Sequence, residues 1–352
     1  MKKEIKIGHL SIGEFHPPFI IAEMSGNHNQ SLQRAMEIID AIAESGAHAV
    51  KLQTYTADTL TIDHRSGMFN ISDASSLWAG KNLYDLYKEA YTPWEWHKPL
   101  MDHARKLGLI AFSSPFDESA VDFLEELGAP VYKIASFENN HHPLLKKVAG
   151  TGKPVIMSTG LSSILDIRES VNVLRHHGCK EIILLKCTST YPSTPENTNL
   201  RTIKLLQESF PDCQVGLSDH TMGVGAGIAS IALGATVIEK HFTLRRADGG
   251  VDSAFSMEPE EMRLLVDESL KAWQALGEIQ LDVQEAEKKS LGFKRSIYIV
   301  DDIEEGGVLS PSNLRVIRPG DGLHPRHYEE LLGKKVNKQL SKGTPFSMNY
   351  LL

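Results

Sequence analysis

Two short motifs carry the residue types from which metal-assisted chemistry is built. Ser218-Asp219-His220 and Glu239-Lys240-His241 close the apolar runs QVGLSDH (214–220) and ATVIEKH (235–241). On neighbouring strands ~4.8 Å apart, His220 and His241 at equivalent ends can meet one divalent ion. Imidazole with oxygen and water ligands suits manganese, with magnesium or cobalt as alternatives, better than a structural zinc, which normally fills all four positions. A histidine pair at strand ends can also be simply hydrogen-bonded. Glu23 and the Asn27-His28-Asn29 loop add polar groups to the same mouth. A second set is cationic: Lys51, Lys133, Lys186 and Lys240 rise from apolar runs, where an unpaired ammonium is expensive to desolvate. Ser114, Ser136, Ser158 and Ser218 stand beside them as hydroxyl donors, and together they suit a phosphate and a carboxylate. A salt bridge to a nearby carboxylate accounts for one or two lysines but not for the set. Phosphoenolpyruvate is a small anion that carries both groups.

These residues need a frame, and the frame is periodic. Eight apolar runs alternate with helical patterns: 19–23, 49–53, 109–114, 130–136, 154–160, 181–189, 214–220 and 235–241. Between them lie segments such as SLQRAMEIIDAIAESG, where Leu32, Ala35, Ile38, Ile39 and Ile42 share a face and Gly46 supplies the stop. Alternating strands and helices give a parallel sheet, either open or closed into a (β/α)8 barrel. The strand ends favour the barrel, because every run turns polar at its C-terminal end and a barrel gathers those ends at one mouth. For one strand, the chain simply becoming polar as it leaves the core is explanation enough. For eight together it is not.

The segment from Thr54 to about Leu107 is too long for a plain connection and is expected to fold over the mouth. Its aromatic cluster, Trp78, Tyr84, Tyr87, Tyr91, Trp94 and Trp96, either faces a sugar or packs helices onto the barrel. The barrel is expected over residues 1–280 and a charged linker over 281–292. A small β-rich domain follows over 293–352, where Ile303-Glu-Glu-Gly306-Gly-Val-Leu309-Ser310 is echoed by Leu340-Ser-Lys-Gly343-Thr-Pro-Phe346-Ser347. Two copies predict a pseudo-symmetric fold.

Composition narrows the function classes. With 37 Lys plus Arg against 45 Asp plus Glu, the net charge of -8 gives no general reason to bind nucleic acid or an acidic membrane surface. No apolar stretch is long enough for a signal peptide or a membrane span, which predicts a cytoplasmic protein. Cys179, Cys187 and Cys213 show no CxxC pairing and read as reduced, buried thiols.

The motifs IAEMSGNHN, VKLQTY, FSSPFD, YKIASFE, STG, KCTSTYP, GLSDHT, IEKHFTL and GGVDSAFSMEP, in this order, resemble the sialic acid synthase family. The IRPGDGL tail resembles its C-terminal antifreeze-protein-like (SAF) domain. Within the family, SLWAGKNLYDLYKEAYTPWEW and the SFE after YKIA resemble the pseudaminic acid branch more than the N-acetylneuraminic acid branch. The resemblance implies condensation of phosphoenolpyruvate with the open-chain aldehyde of a 2,4-diacetamido-2,4,6-trideoxy-altrose, giving a nine-carbon keto sugar acid and phosphate. Carried over by motif, Lys51, Ser114, Lys133, Ser136, Ser158 and Ser218 hold phosphoenolpyruvate, and His220 and His241 ligate the metal. Glu23 and Glu239 join the two histidines as catalytic residues. Asn27, Tyr191, Asp219 and Asp252 face the sugar, and Arg318 of the IRPG motif reaches an acetamido group, in the family from the neighbouring subunit of a domain-swapped homodimer. Ser189 stands where the N-acetylneuraminic branch places an Asn, and Lys186 where it tends to have His. Two further readings remain at this stage: a legionaminic or N-acetylneuraminic acid synthase of the same chemistry, and a carbohydrate-binding protein without catalysis.

Overall fold

The structure is a computed structural model that describes residues 4–74 and 76–352. It divides into two compact units, Met1–Gly277 and Glu278–Leu352. The first opens with a hairpin of β1 (Ile5–Ile7) and β2 (Leu10–Ile12). Eight parallel strands then close into a barrel: β3 (Phe19–Glu23), β4 (Ala49–Thr54), β5 (Ile110–Pro115), β6 (Tyr132–Ile134), β7 (Val155–Ser158), β8 (Ile182–Cys187), β9 (Gln214–Ser218) and β10 (Val237–His241). Closure is made by β10 against β3, with Val237 opposite Phe19 and His241 opposite Glu23.

Alternation along each strand sorts the side chains. Phe19 and Ile21, Ala49, Ile110 and Phe112, Val131, Ile156, Ile183 and Leu185, and Val237 fill the barrel interior. Ile5, Ile7 and Ile12 of the hairpin join that cluster, so the first segment of the chain plugs the N-terminal end of the barrel. The intervening residues, such as Ile20, Val50, Leu52, Tyr132, Met157 and Leu184, pack under the surrounding helices. The two-sided burial explains why the strands read as continuous apolar runs. Gly216 has no room for a side chain, because a Cβ there would lie 2.3 Å from the Val237 carbonyl oxygen.

The helix Leu32–Glu44 buries Ala35, Ile38, Ile39 and Ile42, and Ser31 caps it by accepting from the Arg34 amide. The connection after β4 contains the helices Ala57–Leu60, Leu83–Ala90 and Trp94–Lys106.

The second unit pairs β11 (Ser296–Ile299) with β12 (Leu314–Ile317) antiparallel, around a core that includes Ile297, Leu309, Leu314, Val336, Leu340 and Phe346. The repeat seen in the sequence is physical. Ile303 and Leu340, equivalent residues of its two copies, exchange backbone hydrogen bonds at 2.9 and 2.8 Å, and Gly306 and Gly343 both take positive φ.

Candidate active site

Continuing the inward alternation past the apolar interior puts Glu23, Lys51, Lys133, Ser158, Cys187, Ser218, Glu239 and His241 at the C-terminal mouth. All of them line a cavity of about 450 Å³, within the range of small-molecule sites. At its floor, Lys51 Nζ lies 2.8 Å from Glu23 Oε2 and 2.9 Å from Glu239 Oε1. Lys133 Nζ donates to Ser158 Oγ at 2.7 Å and sits 3.5 Å from Glu239 Oε1. Ser218 Oγ donates to Glu239 Oε1 at 3.1 Å, and Gln53 Nε2 donates to Glu23 Oε1 at 2.9 Å. Two ammoniums thus face two carboxylates.

The ionisation states follow from this pairing. Burial works against a charged Glu23, but His241 and Lys51 hold its carboxyl well below the usual range. Burial also opposes charge on Glu239, and Lys133 and Lys51 win there in the same way. Burial is resisted at Lys51 by Glu23 and Glu239, which raise its pKa, whereas at Lys133 burial prevails and lowers it.

The histidines meet as the strand spacing predicts, with ring centroids 5.3 Å apart. His220 Nδ1 donates to the Thr188 carbonyl at 3.0 Å. His241 Nε2 is 3.3 Å from Glu23 Oε2. Its Nδ1 is buried without a hydrogen-bond partner and lies 3.8 Å from Asp252 Oδ2. Among the described residues no three His, Cys, Asp or Glu side chains converge as a closed ligand set. An orphaned imidazole nitrogen beside a second imidazole fits an ion that completes its shell with water and substrate oxygens.

Tyr191 covers the pair, 4.4 Å from the His220 ring and 6.4 Å from the His241 ring. Trp78 packs against Tyr191 at 5.9 Å and donates from Nε1 to the Val251 carbonyl at 2.9 Å, fastening the long connection across the mouth. Of the six aromatics named in that segment, Trp78 and Tyr87 line the cavity and Tyr84, Tyr91, Trp94 and Trp96 do not. Ser136 accepts from the Gly160 amide at 3.1 Å, and a Cβ at Gly160 would lie 2.2 Å from Ser189 Oγ, so this glycine keeps the cavity floor open.

Eleven of the fifteen residues singled out from the sequence line this one cavity: Glu23, Lys51, Lys133, Ser136, Ser158, Tyr191, Ser218, His220, Glu239, His241 and Asp252. Four do not. Asp219, expected to face the sugar, points outward on the alternation and pairs with Lys240 at 2.8 Å. Lys240, counted among the anion-binding cations, is thereby committed, and it also donates to the carbonyls of Thr221 and Gly223. Lys186 likewise turns out of the barrel and donates to Thr188 Oγ1. Asn27 is buried behind the site, donating to the Phe242 carbonyl and to Ser256 Oγ, both at 2.9 Å. Ser114 is buried, outside the cavity lining, with an unpartnered hydroxyl. Arg318 belongs to the second unit.

Sequence reasoning missed several lining groups. Cys187, read as a small buried hydrophobe, faces the cavity; burial opposes its ionisation, but a hydrogen bond with His220 brings it down to about 7. The inward parity it shares with Ile183 and Leu185 was the available signal. Glu138, Tyr55 and Phe116 also line the cavity. Burial pushes the Glu138 carboxyl up to about 7, and its Oε2 has no hydrogen-bond partner.

The NeuB family profile matches residues 38–281, and the SAF domain profile matches 294–351. The chain belongs to the NeuB family. Among NeuB-type relatives, the pseudaminic acid synthase of Helicobacter pylori is 43% identical over 94% of this chain and 97% of its own length. That of Campylobacter jejuni is 41% identical over 95% and 97%. The N-acetylneuraminic acid synthetase of Leptospira borgpetersenii, solved with citrate, superposes with a TM-score of 0.72 at 31% identity, covering 83% of this chain and 96% of that one. No helix among the described residues is long and apolar enough to cross a membrane.

Proposed function

We propose that this chain is a pseudaminic acid synthase, joining phosphoenolpyruvate to open-chain 2,4-diacetamido-2,4,6-trideoxy-L-altrose with water to give pseudaminic acid and phosphate. The observation that carries this reading is the near full-length likeness to pseudaminic acid synthases at 41–43% identity, against 35% for the N,N'-diacetyllegionaminic acid synthase of Campylobacter jejuni. The geometry supplies the chemistry. Lys51 and Lys133, with Ser136, Ser158 and Ser218, take the phosphate and carboxylate; an arriving anion replaces Glu23 and Glu239 as the partner of part of that positive charge. His220 and His241 would hold a divalent ion, manganese ahead of magnesium or cobalt, which supplies Lewis-acid polarisation of the aldehyde oxygen when bound.

C3 of phosphoenolpyruvate then attacks the aldehyde carbon, and water adds at C2. Glu23, ionised and held by Gln53 and Lys51, orients that water and accepts its proton. The new alkoxide takes up a proton, and the tetrahedral centre at C2 collapses to the ketone with C–O cleavage, its hydroxyl proton leaving with the released phosphate. Lys51 and Lys133 stabilise the charge on the departing group. Tyr191 and Asp252 face the sugar, and Trp78 keeps Tyr191 in place. Arg318 is proposed to reach an acetamido group from the partner subunit of a homodimer, and the enzyme is proposed to work in the cytoplasm.

The test is mass spectrometry of the product formed from phosphoenolpyruvate and each of three sugars, the altrose derivative and the legionaminic and N-acetylneuraminic precursors. Turnover of the altrose derivative ahead of the other two supports the reading; preference for either of the others replaces it.

A further inference from the structure

Behind the charged floor, the cavity changes character. Its outer wall comes mainly from the connection after β4 and is apolar, with Ile71, Leu83, Leu86, Tyr87, Tyr55 and Phe116 among its lining residues. The rings of Tyr55 and Tyr87 meet at 6.0 Å and those of Tyr55 and Phe116 at 5.1 Å, so this is a packed surface. Glu138 interrupts it. Its carboxyl stands on the turn Ser136–Glu138 that leaves β6 and is close enough to Tyr87 to act on the phenol electrostatically. Its buried Oε2 has no hydrogen-bond partner in the protein among the described residues. A buried acceptor without a protein donor is expensive, so a ligand that brings a donor to this point is favoured over one that does not.

The wall around Glu138 restricts that donor. A hydroxyl could supply the proton, but its own oxygen, and any hydroxyls beside it, would then lie against hydrocarbon without partners. An acetamido group offers an N–H for the carboxyl and a methyl for the apolar side chains, while its carbonyl oxygen, anti to the N–H, turns away from Glu138. The acetamido on sugar carbon 2 lies next to the reacting aldehyde, among the ionised groups. The one on carbon 4 lies farther along the sugar.

We propose that Glu138 and the apolar wall that includes Leu83 and Tyr87 receive the 4-acetamido group of the sugar, making Glu138 a specificity-determining residue. The inference rests on the synthase reading above, and its test separates the two. kcat/KM is measured for 2,4-diacetamido-2,4,6-trideoxy-L-altrose and for its analogue with a 4-hydroxyl in place of the 4-acetamido group. The wild-type protein favours the first by about 10- to 100-fold, the range over which a buried pocket discriminates one such group. Glu138→Ala brings the two to within about threefold by raising the KM for the diacetamido sugar, with the KM for phosphoenolpyruvate unchanged. Glu138→Gln keeps an acceptor oxygen and retains most of the preference, which a merely structural role would not require. Leu83→Ala, which leaves the carboxyl in place, lowers the ratio as well and serves if Glu138→Ala does not fold. Equal loss on both sugars, an unchanged ratio, or a shift confined to phosphoenolpyruvate overturns the proposal. Failure of the wild-type protein to use either sugar overturns the synthase reading itself.

Discussion

Replacing Lys51 with Met keeps most of the side-chain volume and removes the charge at the centre of the buried network. The lysine is 2% exposed and touches one carboxylate at 2.8 Å and another at 2.9 Å. At an effective dielectric of ~20, each contact represents about 6 kcal/mol of attraction. Much of that is offset by the cost of desolvating three charges, so the net loss expected on breaking the network is about 3–5 kcal/mol. The loss must depend on pH. Glu239 keeps Lys133 and Ser218, whereas Glu23 keeps only the neighbouring His241 and the hydrogen bond from Gln53, so Glu23 becomes the less compensated group and its pKa rises in the folded variant. In the wild-type protein the folded-state pKa of Glu23 is depressed, so its contribution is present above the ordinary carboxylate pKa of 4.5 and lost as pH falls. In the variant the raised folded pKa reverses the sign, and stability is lost as pH rises. The deficit should therefore be largest near pH 8 and shrink by at least ~1 kcal/mol toward pH 5. Urea unfolding of the two proteins, followed by circular dichroism at both pH values, measures it. A deficit below ~1 kcal/mol at pH 8, or one of equal size at pH 5, would refute the account of the floor as a mutually compensating charge network.

Glu23→Gln should lower turnover by a factor on the order of 10² to 10⁴ while leaving phosphoenolpyruvate binding nearly intact; phosphate release and calorimetry read the two quantities, and unchanged turnover removes Glu23 from the chemistry. Trp78→Ala, which loses the bond to Val251 and the packing on Tyr191, should raise the KM for the sugar several-fold and leave that for phosphoenolpyruvate in place, as steady-state kinetics with each substrate varied will show. Burial lowers His28 and His97 to about 4, so the stability they confer is complete above pH ~6.5 and falls as pH drops toward 4, each by on the order of 3 kcal/mol. Denaturation midpoints across that range should decline less steeply in His97→Gln than in the wild-type protein.

The eight strands were legible because burial on both faces leaves an unbroken apolar run, and their polar ends because a barrel directs them to one mouth. Orientation was also written in the sequence, as the alternation that carries Ile183, Leu185 and Cys187 inward and Lys186 outward. Pooling all four lysines by type, without following that alternation, counted Lys186 and Lys240 with the inward pair. The same step missed that Asp219 and Lys240, outward on adjacent strands, would find each other. Tyr55, Tyr87, Phe116 and Glu138 were harder to foresee. Tyr55, Phe116 and Glu138 follow β4, β5 and β6 and meet where those adjacent strands end, whereas Tyr87 joins them only when the long connection docks over the mouth, a tertiary contact that no local spacing encodes.

The groups proposed to handle phosphoenolpyruvate stand almost entirely on barrel strands or their immediate ends, whereas much of the apolar wall is lent by the connection fastened through Trp78. Two traits are thereby inherited on separate pieces of chain. Drift in that one excursion would then retune which sugar is accepted without disturbing the reactive machinery.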